Sequence, residues 1–171
     1  YYNAAQEDKA AKNDAAAAEK LGKGKQSLET AVKKDPNLDA AYLNLGSTYN
    51  GLGEHDNAVN ALNEANRIHG DWAIALNQLG IAYRGLNNLT MALTQFNRVV
   101  TIDGNSVVGL FNLGSTQYAT GDKKGAKKTQ DRLKKIRPDL ADQLGMIIAG
   151  KLIDAGTNEI RKKIPIPRIP F

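Results

Sequence analysis

The sequence contains no cysteine, which removes disulfides, thiol nucleophiles and cysteine-ligated metals together. Aromatic residues make up only 6% of the chain against 42% hydrophobic residues in all. Any core must therefore be built mainly from Ala, Leu, Ile and Val, a composition suited to closely packed helices. No apolar run approaches the ~20 residues of a membrane span: the longest, Leu144 to Ile153, is broken by Lys151. No segment has the form of a signal peptide. The chain opens on Tyr1 and not on Met, as an exported, periplasmic protein with its leader removed would; the cytoplasm is the other compartment this composition allows.

The motifs of catalysis are missing as well. There is no nucleophile motif, phosphate loop or Gly-rich nucleotide fingerprint. The two histidines, His55 in Glu54-His55-Asp56 and His69 just before Asp71, flank one predicted helix. Fourteen residues at 1.5 Å rise set them roughly 21 Å apart, too far to share an ion. No metal site, cofactor or enzymatic activity is expected. The sequon Asn88-Leu89-Thr90 implies only an accessible turn.

The net charge of +5 is unevenly spread. From Asp39 to Ser106 three basic residues face six acidic ones, whereas from Asp122 to Arg137 eight basic face two acidic. That basic run (Lys123, Lys124, Lys127, Lys128, Arg132, Lys134, Lys135, Arg137) covers about half of a helix circumference, as a solvated face would. Few aromatics are interleaved for base stacking, so nucleic acid is disfavoured. An acidic protein or an anionic membrane surface suits it better.

What the chain does contain is a repeat. Windows starting at Asp39, Ala73 and Val107 align at a period of 34 residues. The first reads Tyr42, Leu45, Gly46, Tyr49, Gly53, Ala58, Leu62, Ala65. The second reads Leu76, Leu79, Gly80, Tyr83, Asn87, Ala92, Phe96, Val99. The third reads Leu110, Leu113, Gly114, Gln117, Gly121, Ala126, Gln130, Leu133 and Pro138. Within each window the apolar positions fall at helical spacing. A glycine inside a helix costs about 0.5–1 kcal/mol relative to Ala, so its recurrence at 46, 80 and 114 implies close approach of a neighbouring helix. Gly51-Leu52-Gly53, Leu86-Asn87-Asn88 and Thr120-Gly121-Asp122 supply residues tolerant of positive φ between the paired helices. Asp35-Pro36-Asn37 and Arg137-Pro138-Asp139 mark boundaries between repeats.

This pattern resembles the tetratricopeptide repeat family, specifically so over residues 39–138. The resemblance implies an all-α solenoid, a right-handed superhelix of helix pairs, with repeats at 39–72, 73–106 and 107–138. Gln117 and Gln130, standing where the family has apolar or aromatic residues, predict that the third repeat is the least well packed of the three. Gly70 and Gly104 replace the usual Pro. Residues 1–38 read as a partial first repeat, with Leu28, Ala31 and Pro36 at the offsets of its second helix and the Ala-rich residues 4–20 as its eroded first helix; a disordered arm is the rival. After Pro138 the register stops, because Ile148 holds the glycine position. Leu140, Leu144, Ile147, Ile148 and Leu152 form one apolar stripe, predicting a helix within 139–163 that caps the open end. A membrane-surface helix is the sharper alternative, given Lys151, Arg161, Lys162 and Lys163. Residues 164–171, Ile-Pro-Ile-Pro-Arg-Ile-Pro-Phe, form an extended arm that cannot be helical.

In such a solenoid the first helix of each repeat lines a concave groove. The resemblance maps that groove to Leu43, Asn44, Ser47 and Asn50, then Asn77, Gln78, Ile81 and Arg84, then Phe111, Asn112, Ser115 and Tyr118. Asn44, Gln78 and Asn112 recur at one position, as an amide ladder able to hold a peptide backbone; tolerated polar surface is the plainer reading. Family members that clamp a chaperone's terminal carboxylates use several Lys and Arg here, and this groove has only Arg84. In the arm, Ile164, Ile166, Arg168, Ile169 and Phe171 are the expected contact residues, docking on a partner or a neighbouring copy, with folding back onto the solenoid as the rival. The function expected is a scaffold that binds a protein or peptide, as an accessory subunit of a larger, membrane-attached assembly. A self-associating, homo-oligomeric structural protein is the alternative.

Overall fold

The computed structural model describes residues 2–150, with side chains from Ala15 onwards except Ala17. Among them are eight helices and no strand: α1 (Tyr2–Lys34), α2 (Asp39–Leu52), α3 (His55–His69), α4 (Ala73–Gly85), α5 (Leu89–Ile102), α6 (Val107–Ala119), α7 (Lys123–Lys134) and α8 (Pro138–Ile148). They fall into two compact units, residues 1–86 and 87–171.

In the first unit α1 packs on α2, α2 on α3, and α3 on α4, with α2 also touching α4. Ala58, Leu62, Ala65, Leu76 and Leu79 are buried in its core. The reason for Gly46 is steric: a Cβ there would overlap the side chain of Leu62, which is fully buried. α2 and α3 therefore meet at a distance that only a residue without a side chain permits. The turn that follows has Gly53 at φ 78°. The Glu54 amide donates to the Tyr49 carbonyl and the Gly53 amide to that of Asn50, a double closure that satisfies the last carbonyls of α2.

The same turn recurs 34 residues on, at Asn87 (φ 59°), and again at Gly121 (φ 87°). In the second unit α6 packs on α5, α7 and α8, and α7 on α8. Asn88, Ser106 and Asp122 cap α5, α6 and α7, each side chain accepting the amide three residues on. The sequon's Asn88 is thus a helix cap. Pro138 opens α8, where its missing N–H costs nothing.

One expectation changes. Residues 2–34 are one continuous helix and not a helix pair: α1 contains no proline, and its glycines Gly22 and Gly24 meet nothing within 4 Å, so nothing forces a break. In the third repeat the two glutamines find partners. Leu110, Ala126 and Leu133 are fully buried. Gln117 accepts a hydrogen bond from the buried Thr129 hydroxyl at 2.8 Å, and Gln130 donates to the Ala141 carbonyl at 2.8 Å. The polar replacements are satisfied, so they cost little.

α8 buries Leu140, Leu144 and Ile147 against α6 and α7, with Ile148 packed alongside. A Cβ on Gly114 would lie 2.7 Å from Leu144, so the third recurring glycine admits this terminal helix. Leu152 and the rest of the predicted cap, residues 151–163, lie outside the described residues, as does the arm 164–171.

Candidate functional site

The mapped positions of the first unit lie on α2 and α4, which touch one another. Leu43, Asn50 and Asn77 are buried; Asn44 is exposed; Ser47, Gln78, Ile81 and Arg84 are half-buried. Asn50 ties the two helices together: its Nδ2 donates to the Gln78 carbonyl at 3.0 Å and to Gln78 Oε1 at 3.2 Å, while its Oδ1 lies 3.3 Å from His55 Nδ1. One side chain thus links α2, α3 and α4. The result is a fixed platform edged by Asn44, Ser47 and Ile81. The Ser47 hydroxyl is buried and has no hydrogen-bond partner, an unusual condition for a polar atom.

In the second unit the mapped residues lie on α6. Asn112 is buried at 3% exposure, so the three register-equivalent amides range from exposed (Asn44) through half-buried (Gln78) to buried (Asn112). Phe111 belongs to the apolar cluster that contains Leu140 and Leu144 of α8, and Tyr118 packs against it. These two positions are engaged within their own unit. Ser115 donates to the Asn112 carbonyl.

Both histidines are engaged within the first unit. His55 is half-buried; besides meeting Asn50, its ring fills the space a Cβ on Gly85 would need. His69 Nδ1 lies 2.7 Å from Asp39 Oδ2, and its ring stacks on Trp72 at 4.1 Å. The hydrogen bond to His69, then that from the Ala40 amide, hold the Asp39 carboxyl below its ordinary range. Among the described residues no three potential ligands gather as a metal site, and no helix is long and apolar enough to cross a membrane.

Sequence reasoning missed a second feature of the first unit. A shallow groove of about 230 Å³ runs between α2 and α3, lined by Tyr42, Leu45 and Tyr49 on one side and Asn57, Asn60, Ala61 and Glu64 on the other. Tyr49 is anchored from α1: its hydroxyl donates to Glu29 at 2.8 Å, and Lys25 lies over its ring while pairing with Glu54 at 2.8 Å. Burial, with the Glu29 carboxylate beside it, pushes the Tyr49 phenol up to about 12. The spacing of Tyr42 and Tyr49, seven residues along one helix face, was the available signal.

On α7 the eight basic residues of the charged run that it carries or adjoins are all exposed, while Ala126, Thr129 and Leu133 point inward. Arg132 donates to the Gly104 carbonyl, Arg137 pairs with Asp139, and Lys127 with Asp131.

No curated protein matches the sequence. Solved structures do match the fold. A crystal structure of MamA is 19% identical with a TM-score of 0.64, covering 82% of this chain and 90% of that one. The first tetratricopeptide repeat domain of Spaghetti (RPAP3), bound to the HSP90 peptide SRMEEVD, is 17% identical with a TM-score of 0.60, over 66% of this chain and 92% of that one. A tetratricopeptide repeat protein from Parabacteroides merdae is 20% identical with a TM-score of 0.68, over 75% of this chain and 52% of that one. Tetratricopeptide repeat models match residues 37–105 and 109–140, together more than half of the chain. With the 34-residue register, the paired helices and the steric role of Gly46 and Gly114, this establishes that the chain belongs to the tetratricopeptide repeat family, whose fold is a scaffold for protein interaction.

Proposed function

We propose that the chain is a non-enzymatic adaptor that holds a peptide or an extended protein segment on the α2–α4 face of its first unit, as an accessory subunit of a larger assembly. The observation that carries this reading is the contrast between the two units. Phe111 and Tyr118 on α6 are engaged by the cluster around α8, whereas Asn44 is exposed and Ile81 half-buried on a platform locked by Asn50 and Gln78. Asn44 presents an amide that both donates and accepts, and Ile81 offers an apolar anchor beside it. A preorganised face loses little entropy on binding.

Arg84 is the single cation at the mapped positions, so this face does not suit a peptide recognised through its carboxylates. The peptide SRMEEVD, bound by the RPAP3 domain, is expected to bind here no tighter than about 1 mM, some −4 kcal/mol. The segment 164–171 is a second docking element: Ile164, Ile166, Ile169 and Phe171 offer apolar anchors and the three prolines among them reduce the entropy lost on ordering, while the exposed lysines of α7 add attraction for an acidic partner.

The test is selection of binders from a random peptide library displayed on phage, followed by isothermal titration. Asn44→Arg and Ile81→Arg should each weaken the selected peptides at least tenfold with the helical spectrum unchanged. Peptides that bind both variants as tightly as the parent would place the site elsewhere.

A further inference from the structure

We infer that the lysine face of α7 is a docking surface for a bilayer carrying anionic phospholipids, with Ile136 entering the headgroup layer beside it. The inference rests on reading the exposed α7 lysines as attraction for an acidic partner, and it names that partner as lipid.

α7 presents two contrasting faces. Ala126, Thr129 and Leu133 are buried in the core of the second unit. At 3.6 residues per turn, Lys124, Lys128 and Lys135 fall within about 40° of one another on the roughly opposite side, and all three are exposed. Lys123 and Lys134, exposed as well, flank them. None of these five side chains has a hydrogen bond or an ion pair among the described residues. The acid on α7, Asp131, pairs with Lys127 at 3.4 Å and so offsets a sixth lysine, not these five. Asp122 caps α7, and Asp139 pairs with Arg137. Asp103 and Asp142, the remaining acids of the unit's described residues, are not on α7.

The free cations here are lysines because the arginines are engaged. Arg132 donates to the Gly104 carbonyl at 2.9 Å, and Arg137 makes a two-pronged contact with Asp139. A fixed phosphate or carboxylate on a macromolecule is held best by a guanidinium fork. Free ammonium groups are hydrated point charges, which suit a fluid layer of headgroups that offers no fixed geometry. Nor does the unit expose a described ring on which a base could stack: Phe96 and Phe111 are buried, and Tyr118 packs against the core. Ile136 favours a bilayer over an acidic polypeptide. It is 37% exposed between Lys135 and Arg137, at the C-terminal end of α7. An apolar side chain among cations gains by reaching the boundary between headgroups and acyl chains.

The experiment is co-sedimentation of the full chain with vesicles of phosphatidylcholine, alone or with about one-third phosphatidylserine, at about 0.1 M salt. Binding to the phosphatidylserine vesicles alone is expected. Each lysine at an anionic surface strengthens binding by about fivefold, so Lys124→Gln, Lys128→Gln and Lys135→Gln together should weaken it by about a hundredfold, with helicity unchanged. Ile136→Gln should weaken it severalfold. The same charge removed from α1, where Lys20, Lys33 and Lys34 are exposed, should have little effect. Equal loss in the α1 and α7 variants overturns the assignment, because net charge would then be the cause. Loss on replacing Arg161, Lys162 and Lys163 by Gln, with the α7 variant still bound, overturns it in favour of the C-terminal segment. Capture by soluble polyglutamate with no binding to either vesicle overturns the bilayer, and leaves attraction for an acidic protein standing.

Discussion

Alanine at Gly46 and alanine at Gly22 are the same substitution inside a helix, and they should act in opposite directions. At Gly22 an added methyl meets nothing within 4 Å; removing a mid-helix glycine should then stabilise by up to about 1 kcal/mol. At Gly46 the methyl would overlap Leu62, with one Leu62 methyl carbon 2.7 Å away and the other 3.1 Å away. Leu62 is fully buried, so it cannot swing clear without displacing its neighbours. Overpacking of this kind costs about 1–3 kcal/mol, partly offset by the helix-propensity gain, and leaves a net loss on the order of 1–2 kcal/mol. For a unit of this size that is a fall in melting temperature of roughly 5–15 °C. Thermal and urea unfolding followed by circular dichroism at 222 nm would measure it. Leu62→Ala alone should cost about 2–5 kcal/mol, but it makes room for the new methyl, so the double variant should be more stable than the sum of the singles by about 1 kcal/mol or more. Strict additivity, or a stabilised Gly46→Ala, would refute close helix approach as the reason for the recurring glycine.

Other outcomes follow from the site geometry. The Asp39 carboxyl is held below its ordinary value of 3.8 by His69 and the Ala40 amide. A carboxylate depressed in the folded state adds stability above its unfolded pKa and loses it as pH falls through the folded one; Asp39→Asn should therefore flatten the acid limb of a stability profile below about pH 4 and remove part of the stability above it. The Tyr49 phenol, raised to about 12, favours folding below pH 10 and withdraws that contribution between about 10 and 12; difference titration at 295 nm against Tyr49→Phe should show this late-ionising group, and Glu29→Gln should lower it. Asn50→Ala, which frees the Gln78 carbonyl and amide together, should destabilise the first unit by about 1–3 kcal/mol in urea unfolding.

The parts legible in the sequence are those where one geometric demand recurs. Gly53, Asn87 and Gly121 recur at 34-residue spacing because the turn after each repeat's first helix needs a left-handed residue at the same point. Gly46 and Gly114 recur because each admits a leucine, although one belongs to α3 and the other to α8. What the register does not encode is what lies beside each repeat. Asn44 and Asn112 are the same residue at the same position, yet one is exposed and the other buried. Likewise Gln117 and Gln130 look like core defects until Thr129 and the Ala141 carbonyl are placed next to them. α1 was misread for a related reason: helix offsets alone cannot distinguish a helix pair from one long helix where no turn residue forces a break. The α2–α3 groove escaped notice because Tyr42 and Tyr49 also fit the family's packing positions, and only the packed helices leave them lining open space.

Site-specific photocrosslinking in native extract tests the central claim most directly. With benzoylphenylalanine at position 44 or 81, on the proposed binding face, the account predicts one discrete high-mass adduct, competed away by library-selected peptide. The same group at Asn63, exposed on α3, should give no competable adduct. Equal labelling at Asn63, or no competable adduct at positions 44 and 81, would contradict the assignment of the α2–α4 face as the surface on which this protein works.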